Sequence, residues 1–360
     1  MTAKANHSLY FVNKWVDFFC IGGSSFLLFV AFWLFYTDAR TPQVITLAII
    51  LQWFINWPHF SMSTYRLYQS KANIEQYPVT AYVIPFVVLG GLLLSFAYPT
   101  LVAPYFVKLF MLWSPYHYSG QTIGITFLYC MRAGIKLNAF ERRVFISFIL
   151  LSYLLSTVRA EVSRDGYDYY GVKYPSFSVP QWLADTMEVG MWVAMVLFVV
   201  AVIFWVRKNK RMIPPIVLLP AVTQYLWFIQ AVYMPSFQEF VPLFHSLQYM
   251  LIAWGIQLKE KMDLKQIKPS RTYAILETSR WYAINVLGGI ALFYLFPKIG
   301  GVFGTTTFFA IAVTSAAVQI HHFFVDGVIW KLQNRTVSHP LKMQLTDVTG
   351  ESGDAKLNPT

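Results

Sequence analysis

Windows of about 20 mainly apolar residues, the length a helix needs to cross a hydrocarbon layer roughly 30 Å thick, recur along the whole chain. Ten are read: 18–36, 43–61, 78–98, 104–130, a short one at 143–158, 187–206, 213–233, 240–258, 281–298 and 302–328. A backbone in lipid must satisfy its own polar groups, so each window predicts a helix. Composition agrees: of the 360 residues, 56% are hydrophobic and 12% charged. That charged share is about half of what a soluble domain carries. The expectation is an all-α, polytopic transmembrane bundle.

The basic residues orient it. With the N-terminus placed in the cytoplasm, 22 of the 28 Lys and Arg residues fall in inner segments and five in outer ones, and Lys108 falls within a span. Such asymmetry is the positive-inside pattern, and a single miscounted span would scramble it from that point on. The reading is therefore ten spans with both termini cytoplasmic. It divides into an N-terminal segment 1–17, a single transmembrane domain 18–330 and a cytoplasmic tail 331–360. The tail is polar and rich in small residues, which predicts disorder. The net charge of +11 belongs to the inner face, so the partner it implies is the lipid bilayer and not nucleic acid. A multi-pass protein of the inner (plasma) membrane is expected.

Other features are bland. The first window lacks a small-residue cleavage site and reads as a retained helix. Cys20 and Cys130 both fall in windows, and no disulfide framework is indicated. Neither a short-period repeat nor a pair of inverted halves is evident. The outer segment 159–186, rich in Tyr, Pro and acidic residues, reads as an ordered interfacial loop. The inner segment 259–280 reads as a basic amphipathic stretch at anionic headgroups.

Histidines carry the chemistry. His7 and His339 lie in the polar termini, but His59, His117, His245, His321 and His322 fall in four windows that all run from outside to inside. Intramembrane ionisable groups are costly and by default mark function. A single one is readily a polar contact between helices; four helices contributing to one site is the reading preferred here. Distances along the chain to the first basic residue put the rings roughly 10–22 Å above the inner boundary. Pro58 and Pro115, just upstream of His59 and His117, can bend their helices enough to align them.

Imidazole is the commonest metal ligand, and its second nitrogen is usually held by a carboxylate, carbonyl or amide. Asn56, Gln121, Gln248 and Asp326 are spaced three or four residues from a histidine and so share its helix face. Neighbouring residues on a helix differ by about 100° in direction, so His321 and His322 cannot both ligate. His322 is favoured by its spacing to Asp326. Several neutral imidazoles with few carboxylates suit iron, copper or zinc and not magnesium or calcium. The histidine boxes of the membrane desaturases, HExxH and GxSxG are all absent, and no catalytic residue is assigned.

The segments WPHFSMST, YHYSGQ and FHSLQY resemble, in order, the PH, WHFG-like and FxxxHSxxH segments of the Brp/Blh-type carotenoid-cleaving membrane dioxygenases. The resemblance covers three short patches, about a tenth of the chain. It implies a multi-helix protein holding iron through intramembrane histidines, with His59, His117 and His245 as ligands. Tyr249 stands where the family's last motif has a second His, and His321 or His322 is available to supply that ligand.

The leading expectation is an integral-membrane oxygenase that depends on a metal, Fe(II) ahead of copper or haem. It would act on a lipophilic small molecule such as an isoprenoid or an acyl chain. The alternatives are a transporter or channel for metal ions or protons, and a haem-binding electron-transfer protein.

Overall fold

The computed structural model of the chain describes residues 9–163, 165–330 and 346–349. Ten long helices run through these residues. They are α1 (Lys14–Phe35), α2 (Asp38–Tyr68), α3 (Val79–Ala97), α4 (Ala103–Arg132), α5 (Ala139–Ala160), α6 (Gln181–Asn209), α7 (Pro215–Tyr233), α8 (Val241–Lys265), α9 (Arg271–Gly300) and α10 (Thr307–Ile329). Eight are long and apolar enough to cross a membrane. The other two, α4 and α8, are 30 and 25 residues long but more polar. Their polar residues face inward: Ser119, Thr122 and Thr126 on α4, and His245, Ser246 and Gln248 on α8, are all buried.

The pattern is that of a protein solvated by lipid. Trp33, Phe86 and Phe308 are 70%, 73% and 65% exposed, while His59, Gln224 and Asn285 are buried. Water would penalise both arrangements, whereas hydrocarbon favours apolar side chains outside and polar ones inside. The chain is an all-α helical membrane protein. α7 and α10 are the most enclosed of the eight apolar helices, with 61% of their apolar windows buried against 22–33% for the rest.

Local chemistry sets the helix ends. Pro104, Pro215 and Pro242 occupy first-turn positions, where a missing N–H costs nothing. Asn138 and Glu141 form a reciprocal capping box, and the side chains of Ser270 and Thr306 cap α9 and α10. Inside the helices, π-helical turns at Gln52–Asn56, Val79–Val83 and Ala291–Leu295 each end two residues before a proline: Pro58, Pro85 and Pro297. Proline lacks an N–H and its ring crowds the carbonyl four residues back, and a widened turn relieves both problems. At Pro58 the Phe54 carbonyl accepts a hydrogen bond at 2.7 Å from the Tyr282 hydroxyl of α9.

The 159–186 segment, described at every position but 164, holds a feature the sequence alone does not show. Strands β1 (Tyr167–Tyr169) and β2 (Val172–Tyr174) pair antiparallel. Their two-residue turn places Tyr170 and Gly171 at φ 49° and 83°, the left-handed pair that a tight hairpin needs. Val172 is buried and Tyr169 packs on Phe110 with ring centroids 5.5 Å apart. Glu161 ties the segment down. Its carboxylate pairs with Lys108 from inside α4 and accepts the Phe177 N–H at 2.8 Å. Its carbonyl accepts Val179 N–H and the Ser176 hydroxyl.

Part of the expected loose tail is also ordered. Val348, in the turn Thr346–Thr349, is buried against Leu258, Met262 and Ala274, and its carbonyl accepts the Ser270 N–H at 2.9 Å. An apolar side chain between α8 and α9 holds this turn despite its polar surroundings. The rest of the tail, with His339, and residues 1–8, with His7, lie outside the described residues. Cys20 and Cys130 are free thiols.

Candidate metal centre

Four helices deliver one imidazole each: α2 brings His59, α4 His117, α8 His245 and α10 His322. A ligand atom from each lies within 4.8 Å of the others. The rings close into a loop. His59 meets His245 and His322 with centroids 5.0 and 4.4 Å apart, and His117 meets the same two at 5.0 and 4.9 Å. The Nε2 of His117 is 3.2 Å from the Nε2 atoms of both His245 and His322. Bonds of about 2.0–2.1 Å to a tetrahedral metal would separate two nitrogens by about 3.3–3.4 Å, so the spacing suits a shared ion.

Burial supports the same assignment. His59, His245 and His322 are at most 1% exposed. Both ring nitrogens of His59, and Nδ1 of His245 and of His322, are buried with no hydrogen-bond partner. Leaving a buried polar atom unsatisfied costs about 1–3 kcal/mol. Hydrogen bonds among the rings do not settle the count, because a neutral imidazole has one donor and one acceptor and two of its neighbours converge on His117 Nε2. A cation accepting lone pairs would satisfy the set.

Asp326 plays a different part from the one its spacing suggested. Its Oδ2 lies 3.3 Å from His322 Nε2 and 3.7 Å from His117 Nε2. Those are the converging nitrogens, so the carboxylate faces the centre rather than the backs of the rings. Its other oxygen, Oδ1, accepts from the Ser63 hydroxyl at 2.6 Å and Trp330 Nε1–H at 3.1 Å. Ser63 also bonds the Tyr249 hydroxyl. The donor group is the four imidazoles, and the carboxylate stands at its edge beside His322 and His117.

The remaining expected residues are placed otherwise. His321 is not part of the four-histidine group; one helical step from His322 turns it away. Gln121 donates to the His245 carbonyl at 2.9 Å and to Gln248 Oε1 at 3.2 Å. Gln248 donates to the Ile21 carbonyl at 2.6 Å, and Asn56 accepts from Ser246 at 2.9 Å. These amides join helix to helix and do not hold imidazole nitrogens. Ser63, Tyr249 and Trp330 hold the carboxylate instead, and only Tyr249 carried a signal, as the misfit in the third motif.

Aromatic rings wall the centre. Tyr118 stacks on His245 at 4.1 Å, Tyr249 meets His59 at 4.1 Å, Phe60 lies 4.7 Å from His322 and Phe323 4.8 Å from His117. Trp113, Tyr116, Gly120 and Gly124 of α4, Ile252 of α8 and Gly327 of α10 help enclose a cavity of about 360 Å³ that reaches His117 and Asp326.

Close backbone approach sets the position of His59. A Cβ added to Gly289 of α9 would lie 2.6 Å from the Trp57 carbonyl carbon and 2.9 Å from Pro58 N. Backbone cannot swing aside as a side-chain tip can. Gly289→Val is therefore expected to displace the turn carrying His59, at an overpacking cost of about 1–3 kcal/mol. The metal content of purified protein should fall while the far-ultraviolet helical signal stays. Full metal content would show that His59 does not need this contact.

No protein-family model, curated protein or solved structure matches the chain, so the reading of this centre stands on its residues and their geometry.

Proposed function

We propose that the chain is an integral-membrane oxygenase in which His59, His117, His245 and His322, with the Asp326 carboxylate beside them, hold a non-haem Fe(II) ion that acts on a lipophilic substrate. The observation that carries this reading is the convergence of four imidazoles, three of them buried and several with unpartnered nitrogens, beside an apolar cavity. Several neutral nitrogen donors are what iron, copper and zinc accept. Iron held this way supplies redox chemistry with dioxygen.

The chain's own groups have definable tasks. The imidazoles bind through lone pairs and so serve as neutral rings. Ser63 and Trp330 orient the Asp326 carboxylate toward the centre. Tyr118, Phe60, Phe323 and Tyr249 exclude water, and the cavity presents substrate at His117. The resemblance to the Brp/Blh-type dioxygenases fits this reading, with His322 taking the place of the histidine missing at Tyr249. Ten spans, cytoplasmic termini and a plasma-membrane location belong to the same proposal, on the strength of the charge asymmetry.

Haem is disfavoured because the imidazole centroids are 4.4–5.0 Å apart in a closed loop, which leaves no slot for a planar macrocycle between them. A transport path would string its imidazoles along the bundle; here the four converge within 4.8 Å of one another.

Elemental analysis with an optical spectrum of the detergent-purified protein tests the proposal. Stoichiometric iron without a Soret band is the expected result. A Soret band would replace the reading with a cytochrome, and zinc alone would remove the oxygenase. Absence of any bound metal would end the shared-site assignment.

A further inference from the structure

We infer that the cavity between α4, α8 and α10 is a chain-binding slot that opens sideways into the bilayer, its bore set by Gly120, Gly124 and Gly327, with the histidine centre near one end. This rests on the oxygenase reading for what happens at the centre, but not for the slot itself.

Shape comes first. The lining runs along α4 from Trp113 to Leu128, a rise of about 22 Å or roughly two-thirds of a hydrocarbon layer. His117 lies about 6 Å from one end and about 17 Å from the other at 1.5 Å per residue. A chain lying in the slot would therefore meet the centre far from its middle, leaving one long and one short arm.

The glycines make the room. Gly120 and Gly124 are four residues apart, a spacing that ordinarily lets two membrane helices touch. Here a Cβ added to Gly120, Gly124 or Gly327 would meet nothing within 4 Å. All three line the cavity, so they face open space and not a packed helix. Any side chain at these positions would project into the slot.

The mouth and the walls identify the occupant. Tyr116 is 55% exposed, and Gly120 and Gly327 are also exposed, so the slot opens between α4 and α10 on the face of the bundle that meets lipid. No Lys or Arg lines it, and its polar groups include His117, Gln121 and Asp326. Gln121's amide N–H groups are already bonded to α8. Such walls hold a hydrocarbon chain and offer nothing to a phosphate headgroup. The occupant is the apolar chain of a membrane-dissolved substrate that enters laterally and reaches the metal without crossing water.

The test uses the full-length protein in lipid nanodiscs and a long-chain primary alcohol carrying a diazirine at its methyl end. After irradiation, adducts are mapped by peptide mass spectrometry. Label is expected on segments 120–128 and 323–330. Gly124→Phe should reduce it about tenfold or more by filling the slot, and Gly124→Leu should act in the same direction if the phenylalanine variant does not fold. Gly190→Phe is the control, because that glycine also faces open space but lies on α6 outside the slot, and its labelling should match wild type. Undiminished labelling of both Gly124 variants would overturn the slot. Equal labelling by a phospholipid bearing the same diazirine in its acyl chain would overturn it too, as an ordinary lipid crevice. Metal content is measured on every sample. Gly124-dependent labelling of metal-free protein upholds the slot while removing the oxygenase, and metal-replete protein without such labelling does the reverse.

Discussion

Replacing His117 by alanine is expected to abolish stoichiometric metal binding while leaving the bundle folded. His117 Nε2 is 3.2 Å from two other ligand nitrogens and 3.7 Å from the Asp326 carboxylate, so it occupies the middle of the donor set. Even partners behind a ligand are worth about 10–100-fold in metal affinity; loss of a ligand itself should exceed that range. The ring also borders the cavity, so truncation enlarges an existing space instead of opening a void in the packed core. Competition with a chelator would read the affinity, and thermal denaturation of the metal-free forms would show similar midpoints for variant and wild type. Asp326→Asn separates the carboxylate's two tasks. A metal loss like that of His322→Ala makes the carboxylate a ligand; unchanged affinity leaves it a buried group bonded to Ser63 and Trp330. Unchanged metal content in His117→Ala would dismantle the centre as drawn.

Lys108→Met should be among the most destabilising single changes in the protein. Lys108 and Glu161 side chains are 5% and 9% exposed, and breaking a buried pair by removing one partner costs about 3–5 kcal/mol. The orphaned carboxylate would keep only the Phe177 N–H, and the hairpin segment hangs on this anchor. Replacing both partners is often nearly neutral, so Lys108→Met combined with Glu161→Gln should recover most of the loss. The denaturation midpoint of the solubilised protein reads both. A single variant as stable as wild type would mean that water reaches the pair.

Much of this was legible in the chain before any tertiary contact was known. Windows of apolar residues imply helices because lipid offers the backbone no partners, and all ten coincide with long helices among the described residues. Yet α4 and α8 are the two that fall outside the apolar set of eight, and both carry a centre histidine. The polar residues that make a helix functional are those that weaken its membrane signal. The hairpin was missed for a local reason. Three-residue strands are too short to show alternation, and a Tyr-Gly turn in a segment rich in Tyr and Pro does not stand out.

The centre divides in the same way. Residue type and spacing singled out the histidines, because an imidazole in hydrocarbon is costly enough to need a reason. Spacing alone misassigned Gln121, Gln248 and Asn56. A shared helix face tells which side chains are neighbours, but not whether an amide turns to the ring beside it or to a carbonyl on the next helix. Gln121 took the His245 carbonyl of α8. Nor could the chain disclose that Gly289 lets the Trp57–Pro58 backbone come close, or that Gly120 and Gly124 face a cavity instead of a helix. The sequence by itself determined an all-α membrane bundle and histidines that need explaining, since those follow from one-dimensional composition and the cost of desolvation. The tertiary structure decided that His322 and not His321 joins the cluster, that Asp326 faces it, and that a cavity reaches it. These depend on helix rotation, where a single residue step turns a side chain through about 100°, and on which helices meet, which local spacing does not encode.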